Sequence, residues 1–382
     1  MSLSLVATCG LGLEEILAGE LSALGFAEVE PQQGAVAFAG GWREVWRANL
    51  WLRTANRVLV ALATFPAGTG DALARGAGEL VRSRQDWAGV KAADLFHPDR
   101  SFAVVATTRA SRINDVRWAA LKTKDGIADA QRAQWGRRGT IDKANPQLPL
   151  RVLIVRDQAT LLVDTSGEPL DHRGYRVAGG EAPVREQIAA ACVLASGWDG
   201  RGPVVDPMCG TGTLLAEAGW WAAGRAPGNL RALEGWAFSG LPGFDPKAFQ
   251  ALLAEPPAAP APDFRLFGVD SSPEALAAAR RNLTKAGLVN RLILQRGDAF
   301  EYQPPEGPGL ILVNPPWGSH LAEPEDLWRR LGDLLKQRYK GWRAVVLAGD
   351  EGRGKWIGLK PKRRVPVRIG PVEARILVFE LY

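Results

Sequence analysis

Apolar and polar positions alternate with a period of two in several short runs of the first 165 residues, and helical patterns separate these runs. From Ser2 to about Phe65 the predicted order is strand, helix, strand, strand, helix, strand, carried by LSLVAT, GLEEILAGELSALGF, AEVE, GAVAFAG, GWREVWRANLWL and RVLVALATF. This order predicts a small α+β sandwich. The stretch from Thr69 to Thr165 has its own alternation, and its last segment, LRVLIVRDQATLLVDT, predicts two strands joined at Asp157-Gln158.

A regular alternation of helix and strand runs from residue 185 to the end of the chain. The strands are GPVVD, FRLFGVD, RLILQRGD, GLILVN and WRAVVLAGD, and the helices are REQIAAACVLASGW, TLLAEAGWWAAG, SPEALAAARRNLTKAG and EDLWRRLGDLLKQRY. Ser272 is expected to cap the third helix, with Pro273 at its first position and Gly287 past its end. The alternation predicts a parallel sheet with right-handed crossovers, and the final RRVPVRIGPVEARILVFELY predicts a hairpin that closes one edge.

Residues 166–184 (SGEPLDHRGYRVAGGEAPV) carry turn residues throughout and no sustained period, which predicts a linker. The pattern therefore divides the chain into domains at 1–66, 67–165 and 185–382, with the linker 166–184 before the last of them. A chain of 382 residues exceeds the usual size of one domain, so several cores are expected.

Composition narrows the class of protein. Apolar residues make up 46% and charged residues 23%, which is ordinary for a globular protein. No apolar run approaches the roughly 20 residues that span a bilayer, and the start, MSLSLVATCGLGLEE, lacks the features of a secretion signal. We therefore expect a cytoplasmic protein without membrane contact. The scattered cysteines and histidines predict neither disulfides nor a metal site (Cys9, Cys192, Cys209, His97, His172, His320).

Positive charge is concentrated in one stretch of the second domain. The net charge of +6 and pI near 9.4 point mildly to a polyanionic partner. The stretch TTRASRINDVRWAALKTKDGIADAQRAQWGRR contains Arg109, Arg112, Arg117, Lys122, Lys124, Arg132, Arg137 and Arg138, with Trp118 and Trp135 among them. Because Asp115, Asp125 and Asp129 dilute this charge, two interpretations stay open: a solvated helix face or a nucleic-acid contact.

A glycine-containing segment lies where the first strand of the last domain meets its helix. It reads D-P-M-C-G-T-G-T, and its candidate ligand contacts are Asp206, Pro207, Met208, Gly210, Gly212 and Thr213. Glycines at this position let backbone approach a ligand closely, at the carboxyl edge of the strands. The third glycine and the lysine of phosphate-binding loops are missing, which argues against a nucleoside triphosphate.

Polar residues end the next three strands. Asp270, followed by Ser271, ends the second strand, Asp298 follows the third, and Asn314 ends the fourth. An acid after the second strand is the usual partner of ribose hydroxyls, and one after the third can accept from an adenine amine. Asp270 lies 64 residues beyond Asp206, where a dinucleotide site has about 20, so an insertion must be accommodated.

The fourth strand leaves through Asn314-Pro315-Pro316-Trp317, an unusual exit. Prolines lack backbone donors and fix φ, so nearby carbonyls stay free and point in set directions. An amide, a free carbonyl and a flat ring form a plausible clamp for a planar ligand that carries an amino group. Two acceptors would orient the lone pair of an exocyclic amine and stabilise its developing positive charge, without a metal or a covalent intermediate. A base inside a helix would have to flip out to enter such a clamp.

D-P-M-C-G-T-G-T, the strand-end acids and N-P-P-W together resemble the S-adenosylmethionine-dependent amino methyltransferases. The segments GLEEILAGELSALG, LDHRGYR and RAPG...WAFSG, with the basic middle stretch, are similar to the THUMP-domain RNA guanine-N2 methyltransferases, above all those acting on bacterial large-subunit (23S) ribosomal RNA. The resemblance implies an α/β fold: a Rossmann-like class I methyltransferase domain, with a mostly parallel seven-stranded sheet and a terminal antiparallel hairpin. A ferredoxin-like domain (1–66) and a THUMP RNA-binding domain (67–165) would precede it.

The resemblance also implies roles for single residues. Asp206, Gly210 and Gly212 would line the methionine end of S-adenosylmethionine, Asp270 its ribose, and Asp298 with Ala299 its adenine. Asn314 and the Pro315 carbonyl would hold the target amine while Trp317 stacks on the base. Position 317 is Trp where the RNA members more often carry Tyr, so the hydroxyl of that tyrosine is missing here. Some relatives continue into a second methyltransferase domain, and one modification is expected of this chain.

These inferences predict a monomeric methyltransferase that acts on N2 of a guanine in 23S ribosomal RNA. The expected RNA contacts are Arg109, Arg112, Arg117, Lys122, Lys124, Arg137 and Arg138. Three alternatives stay open: transfer RNA as substrate, an RNA-binding assembly factor that has lost activity, and DNA adenine methylation. The choice of guanine rests on the resemblance, because the clamp suits any exocyclic amine.

Overall fold

The computed structural model describes residues 2–179, 184–255, 263–316, 324–349 and 353–382. Its first half is built from nine strands and five helices. The strands are β1 (Leu3–Cys9), β2 (Ala27–Gln32), β3 (Ala35–Gly40), β4 (Ala55–Pro66), β5 (Asp86–Trp87), β6 (Val90–Lys91), β7 (Phe102–Arg109), β8 (Leu148–Val155) and β9 (Gln158–Asp164). The helices are α1 (Glu14–Ala23), α2 (Trp42–Trp51), α3 (Gly70–Val81), α4 (Ala92–Leu95) and α5 (Val116–Trp135). The element order predicted for residues 2–65 is confirmed.

One seven-stranded sheet runs through this half in the order β2-β3-β1-β4-β9-β8-β7. Strand β4 pairs with β1 on one side and with β9 on the other, both antiparallel. The two segments with separate alternation therefore share one sheet, and position 66 is the last residue of the strand that joins them. This continuous hydrogen bonding fixes their relative orientation.

The turn between β8 and β9 lies one residue earlier than predicted. Val155 pairs directly with Gln158, so the turn residues are Arg156 and Asp157, with φ of 50° and 61°. Both have the left-handed backbone that a two-residue hairpin turn requires, and aspartate tolerates this conformation better than most residues. The prediction of a turn at Asp157-Gln158 was wrong because Gln158 already belongs to the ladder.

In the described ranges, the second half contains seven strands and five α-helices. The strands are β10 (Gly202–Asp206), β11 (Phe264–Asp270), β12 (Leu292–Arg296), β13 (Leu310–Val313), β14 (Arg343–Gly349), β15 (Arg363–Ile369) and β16 (Val372–Glu380). The helices are α6 (Glu186–Ser196), α7 (Thr213–Ala222), α8 (Pro246–Leu253), α9 (Pro273–Lys285) and α10 (Pro324–Arg338). The sheet order is β12-β11-β10-β13-β14-β16-β15, in which the first five strands are parallel and β16 is antiparallel to both neighbours. The predicted Rossmann-like sheet with a terminal hairpin is confirmed.

Helix α9 begins and ends as its sequence predicts. The Ser272 hydroxyl accepts a hydrogen bond from the Ala275 N–H at 3.1 Å, Pro273 is the first helical residue, and Gly287 has φ of +72° just past the end. The serine cap satisfies a backbone N–H group that has no partner within the first turn of the helix. At the other end, glycine adopts the left-handed backbone without strain.

The insertion between β10 and β11 packs on the first half of the chain. It forms α8, and the Phe244 and Phe249 rings meet the Trp46 ring of α2 edge-on, at centroid distances of 5.4 and 6.5 Å. All three rings are largely or fully buried. The insertion therefore belongs to the interface between the two halves.

Residues 166–179 contain neither helix nor strand, yet they are not a free linker. The side chains of Leu170, Arg173 and Tyr175 are buried between the two halves. An untethered connection would leave such side chains in water, so this segment is a fixed part of the interface.

Within the described ranges, no helix is long and apolar enough to cross a membrane. Nor do three or more metal-binding side chains cluster in those ranges.

Candidate cofactor and amine site

Four neighbouring parallel strands end at one rim of the second sheet. Asp206 and Asp270 are the last residues of β10 and β11, Asn314 directly follows β13, and Asp298 lies two residues beyond β12. Because neighbouring strands lie about 4.8 Å apart, the structure brings these predicted side chains to one edge. Parallel sheets bind their ligands at this edge.

The glycine loop between β10 and α7 turns sharply across this rim. Gly210 and Gly212 have φ of 51° and 80°, and the Gly210 N–H donates to Asp270 Oδ2 at 2.8 Å. A Cβ at Gly212 would lie 2.6 Å from Leu283 Cδ1, so glycine is also required there for the approach of α9. Pro207 and Met208 lead into the loop, and Thr213 opens α7. The loop thus presents backbone to the rim, as the motif predicts.

Asp206 is buried beneath the loop, with 1% of its surface exposed. Its carboxylate accepts the Met208 N–H at 3.2 Å. Burial raises the pKa of Asp206 to about 8, and the negative charge of Asp270 adds to the effect while the Met208 hydrogen bond opposes it. Burial therefore favours the protonated form of this carboxyl near neutral pH, and a cationic ligand would favour its ionised form.

Cys209 lies within the loop but is not a nucleophile. Its thiol is buried, and burial together with the charges of Asp206 and Asp270 raises its pKa far above the ordinary value. Because the thiolate is the reactive form, the loop does not supply the cysteine nucleophile of a covalent mechanism.

Both carboxylate oxygens of Asp270 accept hydrogen bonds from backbone N–H groups. Oδ2 accepts the Gly210 N–H, and Oδ1 accepts the Ser272 N–H at 2.9 Å, while Ser271 is exposed beside it. Asp270 therefore joins the loop to the start of α9. Its remaining lone pairs are available to ribose hydroxyls, the role that the sequence predicts.

Asp298 and Ala299 form the outer end of the rim. Asp298 accepts the Phe300 N–H at 2.8 Å, and its other oxygen lies 3.8 Å from the Arg330 guanidinium. Arg330 also lies over the Phe300 ring, 4.0 Å from its centroid. Ala299 is buried. The acid expected at the adenine therefore has a cationic neighbour on α10 that the sequence does not indicate.

The predicted amine clamp begins at the end of β13, the strand that lies next to β10 in the sheet. Asn314 is half-buried, Pro315 is buried and Pro316 is exposed. The preceding strand pairs in register with β10, Val205 opposite Ile311. Trp317 lies outside the described residues, so its predicted stacking role stays a prediction.

The predicted RNA-contact residues divide between the two ends of α5. Arg109, Arg112, Arg117 and Lys122 lie toward its start, whereas Arg137 and Arg138 lie beyond its end, about 30 Å away for a 20-residue helix. Lys124 lies mid-helix and pairs with Asp125 at 2.6 Å, and Arg137 pairs with Asp99. The structure therefore does not bring all seven together, and the helix start carries the denser group.

A cavity of about 400 Å³ opens between the first turns of α3 and α5. Its walls include Arg112 and the Trp118 ring, which is 39% exposed. Lys122 Nζ lies 5.8 Å from the centroid of that ring. A Cβ at Gly70 would lie 2.3 Å from the indole, so glycine lets the ring lie against the start of α3. An exposed aromatic ring among cations is typical of single-stranded nucleic-acid contacts.

Sequence reasoning missed the residues that hold the glycine loop from outside. Arg176, in the segment predicted as a linker, donates to the Thr213 hydroxyl at 3.1 Å and to Glu186 at 2.8 Å. Asn282 of α9 donates to the Thr211 carbonyl at 3.1 Å. The only sequence signal was the LDHRGYR segment, whose two arginines and tyrosine are unusual in a linker.

Three known families match consecutive parts of the chain. The ferredoxin-like domain of RlmL matches residues 4–59, the THUMP domain matches residues 88–164, and the RMKL-like methyltransferase domain matches residues 173–376.

Relatives match the chain along its whole length. A Synechocystis protein described as a candidate RNA methyltransferase is 34% identical over 98% of this chain and 96% of its own length. The ribosomal RNA large subunit methyltransferase K/L of Allochromatium vinosum is 37% identical over 97% of this chain and 50% of its own length. The corresponding protein of Methylococcus capsulatus is 35% identical over 100% of this chain and 52% of its own length. The chain thus spans about half the length of the K/L relatives.

Solved structures are similar over the complete chain. A candidate methyltransferase crystallised with S-adenosylhomocysteine has a TM-score of 0.87 at 26% identity, covering 100% of this chain and 98% of its own. A predicted N6-adenine-specific DNA methylase from Listeria monocytogenes has a TM-score of 0.85 at 27% identity, covering 100% and 97%.

Proposed function

The chain belongs to the RMKL-like methyltransferase family, and from this premise we propose that it methylates the exocyclic N2 amine of a guanine in 23S ribosomal RNA. S-adenosylmethionine is the methyl donor. The proposed site of action is the cytoplasm, where 23S ribosomal RNA is assembled into ribosomal subunits. The proposed active form is a monomer.

The observation that carries the proposal is the position of Asn314 and Pro315 at the end of β13, on the same rim of the sheet as Asp206 and the glycine loop. The amide and the proline carbonyl follow β13, and the neighbouring strand β10 leads into the glycine loop. Two acceptors on the hydrogens of an aromatic amine would turn its lone pair toward a sulfonium methyl held by that loop. They would also stabilise the positive charge that develops on nitrogen during transfer.

The cofactor would lie along the rim in the order of the strands. Asp206 and the backbone of Gly210 and Gly212 would contact the methionine end, Asp270 the ribose, and Asp298 with Ala299 the adenine. The bound cofactor supplies an electrophilic methyl group, so the chain's own residues need only bind, orient and exclude water. After transfer, the extra proton on nitrogen would pass to solvent.

RNA contact is proposed for the start of α5. Arg112 and Arg117 are exposed there, and Trp118 offers a ring on which an unpaired base can stack. The THUMP match covers this helix. The K/L relatives are named for ribosomal RNA of the large subunit, which favours that RNA over transfer RNA as the substrate.

Methyl transfer to two RNAs tests the substrate class. Unmodified 23S ribosomal RNA and unmodified transfer RNA, both transcribed in vitro, are incubated separately with the protein and labelled S-adenosylmethionine. The proposal expects label in the ribosomal RNA. Label in transfer RNA alone would support the methyl transfer but contradict ribosomal RNA as the substrate. If the protein does not bind S-adenosylmethionine, an assembly factor without activity is favoured.

A further inference from the structure

We propose that Leu170–Arg176, here called the clamp segment, positions the cofactor loop, with Arg176 as the positioning residue. This segment reads L-D-H-R-G-Y-R and lies between the RNA-binding half and the methyltransferase domain. This proposal rests on the proposed function, since it takes the glycine loop as the binding site of S-adenosylmethionine.

The clamp segment is anchored first to the RNA-binding half. The Leu170 N–H donates to the Asn56 carbonyl at 2.9 Å, and the Leu170 side chain is buried. The Arg173 guanidinium donates to the carbonyls of Arg53 and Leu170. These contacts tie the segment to the chain around the start of β4.

The same arginine then reaches the methyltransferase domain. Arg173 Nε lies 3.3 Å from Glu217 Oε1, and the Tyr175 hydroxyl donates to that oxygen at 3.0 Å. Both charged side chains are almost fully buried, at 1% and 0% exposed. Glu217 belongs to α7, the helix that begins directly after the glycine loop, so this contact fixes the helix behind the loop.

Arg176 holds the loop itself. Its guanidinium donates to the Thr213 hydroxyl at 3.1 Å, to the Thr211 hydroxyl at 3.4 Å and to Glu186 at 2.8 Å. These two threonines flank Gly212. A single planar cation with several fixed donors can hold both hydroxyls at once, whereas a lysine could reach fewer of them.

Asn282 completes the grip from the other side. Its amide oxygen accepts the N–H groups of Val177 and Ala178, both at 2.9 Å, and its amide nitrogen donates to the Thr211 carbonyl at 3.1 Å. The chain just past the clamp segment is therefore joined to the loop through one buried side chain.

These contacts are needed because the loop's own residues cannot fix its shape. Gly210 and Gly212 have positive φ and no side chains to pack, so the loop has high conformational freedom when unsupported. A site that must hold the methyl donor within a fraction of an ångström depends on such supporting residues. Arg176 therefore acts on the reaction through the loop, without touching the reacting atoms.

The test measures S-adenosylmethionine binding and loop mobility in Arg176→Gln. We expect a Kd and a KM for S-adenosylmethionine about tenfold higher, kcat within threefold of the wild type, and unchanged affinity for RNA. Amide hydrogen exchange should quicken at Gly210–Gly212 and stay unchanged within α7. Arg176→Lys keeps the charge beside Glu186 and should recover part of the affinity.

The matched control is Arg185→Gln. Arg185 is exposed next to Glu186, and in the described ranges no ion pair or hydrogen bond involves its side chain. This variant should bind S-adenosylmethionine as the wild type does.

Two results would overturn the proposal. One is a folded Arg176→Gln protein whose Kd stays within twofold of the wild type. The other is a loss of binding in which exchange quickens throughout α7, which indicates a structural role alone. If Arg176→Gln does not fold, Arg176→Lys decides: wild-type affinity in that variant contradicts the proposal. Because binding is measured without RNA, a wrong choice of RNA substrate would not affect these outcomes.

Discussion

The carboxyl group of Asp206 combines burial with a position beside the proposed methionine end of the cofactor. Its pKa is raised to about 8 mainly because burial disfavours the charged form. Between the ordinary aspartate pKa, near 4, and this value, the folded protein holds a proton that the unfolded chain has lost. The stability of the cofactor-free protein should therefore decrease as the pH rises through this window.

Cofactor affinity should change in the opposite direction. The amino group of S-adenosylmethionine is cationic at neutral pH, so binding favours ionised Asp206 and releases its proton. We expect the affinity to increase from pH 6 to pH 8, by at most tenfold per unit, and to decrease at higher pH as the cofactor's own amine loses its charge. Isothermal titration calorimetry in buffers of different ionisation enthalpy measures both affinity and proton release. Equal affinity at pH 6 and pH 8 with no proton release would contradict this role of Asp206.

Asn314 is expected to act on the amine and not on the cofactor. Replacing Asn314 by Ala should reduce kcat by about a hundredfold or more, the usual cost of losing one oriented group at a developing charge. S-adenosylmethionine affinity should stay within threefold. Asn290→Ala, at an exposed asparagine away from the rim, is the control. A large loss of cofactor affinity in Asn314→Ala would show that this side chain has a different role.

Single residues at strand ends could be predicted because a strand's end is visible in the sequence. Asp206, Asp270 and Asn314 each directly end an apolar run, and parallel strands bring such residues to one rim. Arg176 could not be predicted this way, because its partners Glu186 and Thr213 lie 10 and 37 residues away and depend on tertiary packing.

At the scale of elements, α5 shows how a charged run divides once it becomes a helix. The sequence places all the cations in one stretch, but the 20-residue helix separates Arg112 and Arg117 from Arg137 and Arg138 by about 30 Å. Arg112 lines the same cavity as the exposed Trp118 ring, and Arg117 is exposed at the same end of the helix. The charge along the sequence therefore indicates a segment for RNA contact, but it does not show which of its cations lie on one surface.

Replacing Arg112 and Arg117 together by Ala should weaken RNA binding and reduce its dependence on salt. Removing one phosphate interaction lowers the slope of log affinity against log salt by about 0.7 to 0.9. Filter binding to 23S ribosomal RNA across a range of KCl concentrations measures this slope. Arg137→Ala with Arg138→Ala is the matched pair at the far end of α5 and should have the smaller effect. An unchanged slope in the first variant would indicate that those arginines are solvated and do not contact RNA.

At the scale of the whole molecule, the two halves are joined by more than one chain crossing. The insertion places Phe244 and Phe249 on Trp46, and the clamp segment places Arg173 against Glu217. Strand β4 could be read from the sequence, but its pairing with β9, about 100 residues later, could not, since alternation marks a strand and not its partner. The burial of side chains in the predicted linker could not be predicted, because burial there depends on the residues that those side chains contact.

The buried pair between Arg173 and Glu217 should contribute strongly to the stability of this junction. Burial alone would lower the pKa of Arg173, but the charge and hydrogen bond of Glu217, together with Tyr175 and Glu186, raise the pKa above its usual value. Glu217→Gln leaves a buried cation without its counter-charge and should cost about 3–5 kcal/mol in the free energy of unfolding. Urea denaturation measures this loss. Glu255→Gln, which breaks the exposed pair with Arg43, should cost less than about 1 kcal/mol; equal effects in the two variants would contradict the account.

Nucleoside analysis of the methylated product identifies the base and the atom that receive the methyl group. Unmodified 23S ribosomal RNA is incubated with the protein and labelled S-adenosylmethionine, digested to nucleosides and separated by chromatography with mass detection. We expect the label in N2-methylguanosine. Label in N6-methyladenosine would contradict guanine as the target base but would agree with an amine clamp at Asn314 and Pro315. Label on a ring carbon or on a ribose oxygen would contradict the amine clamp.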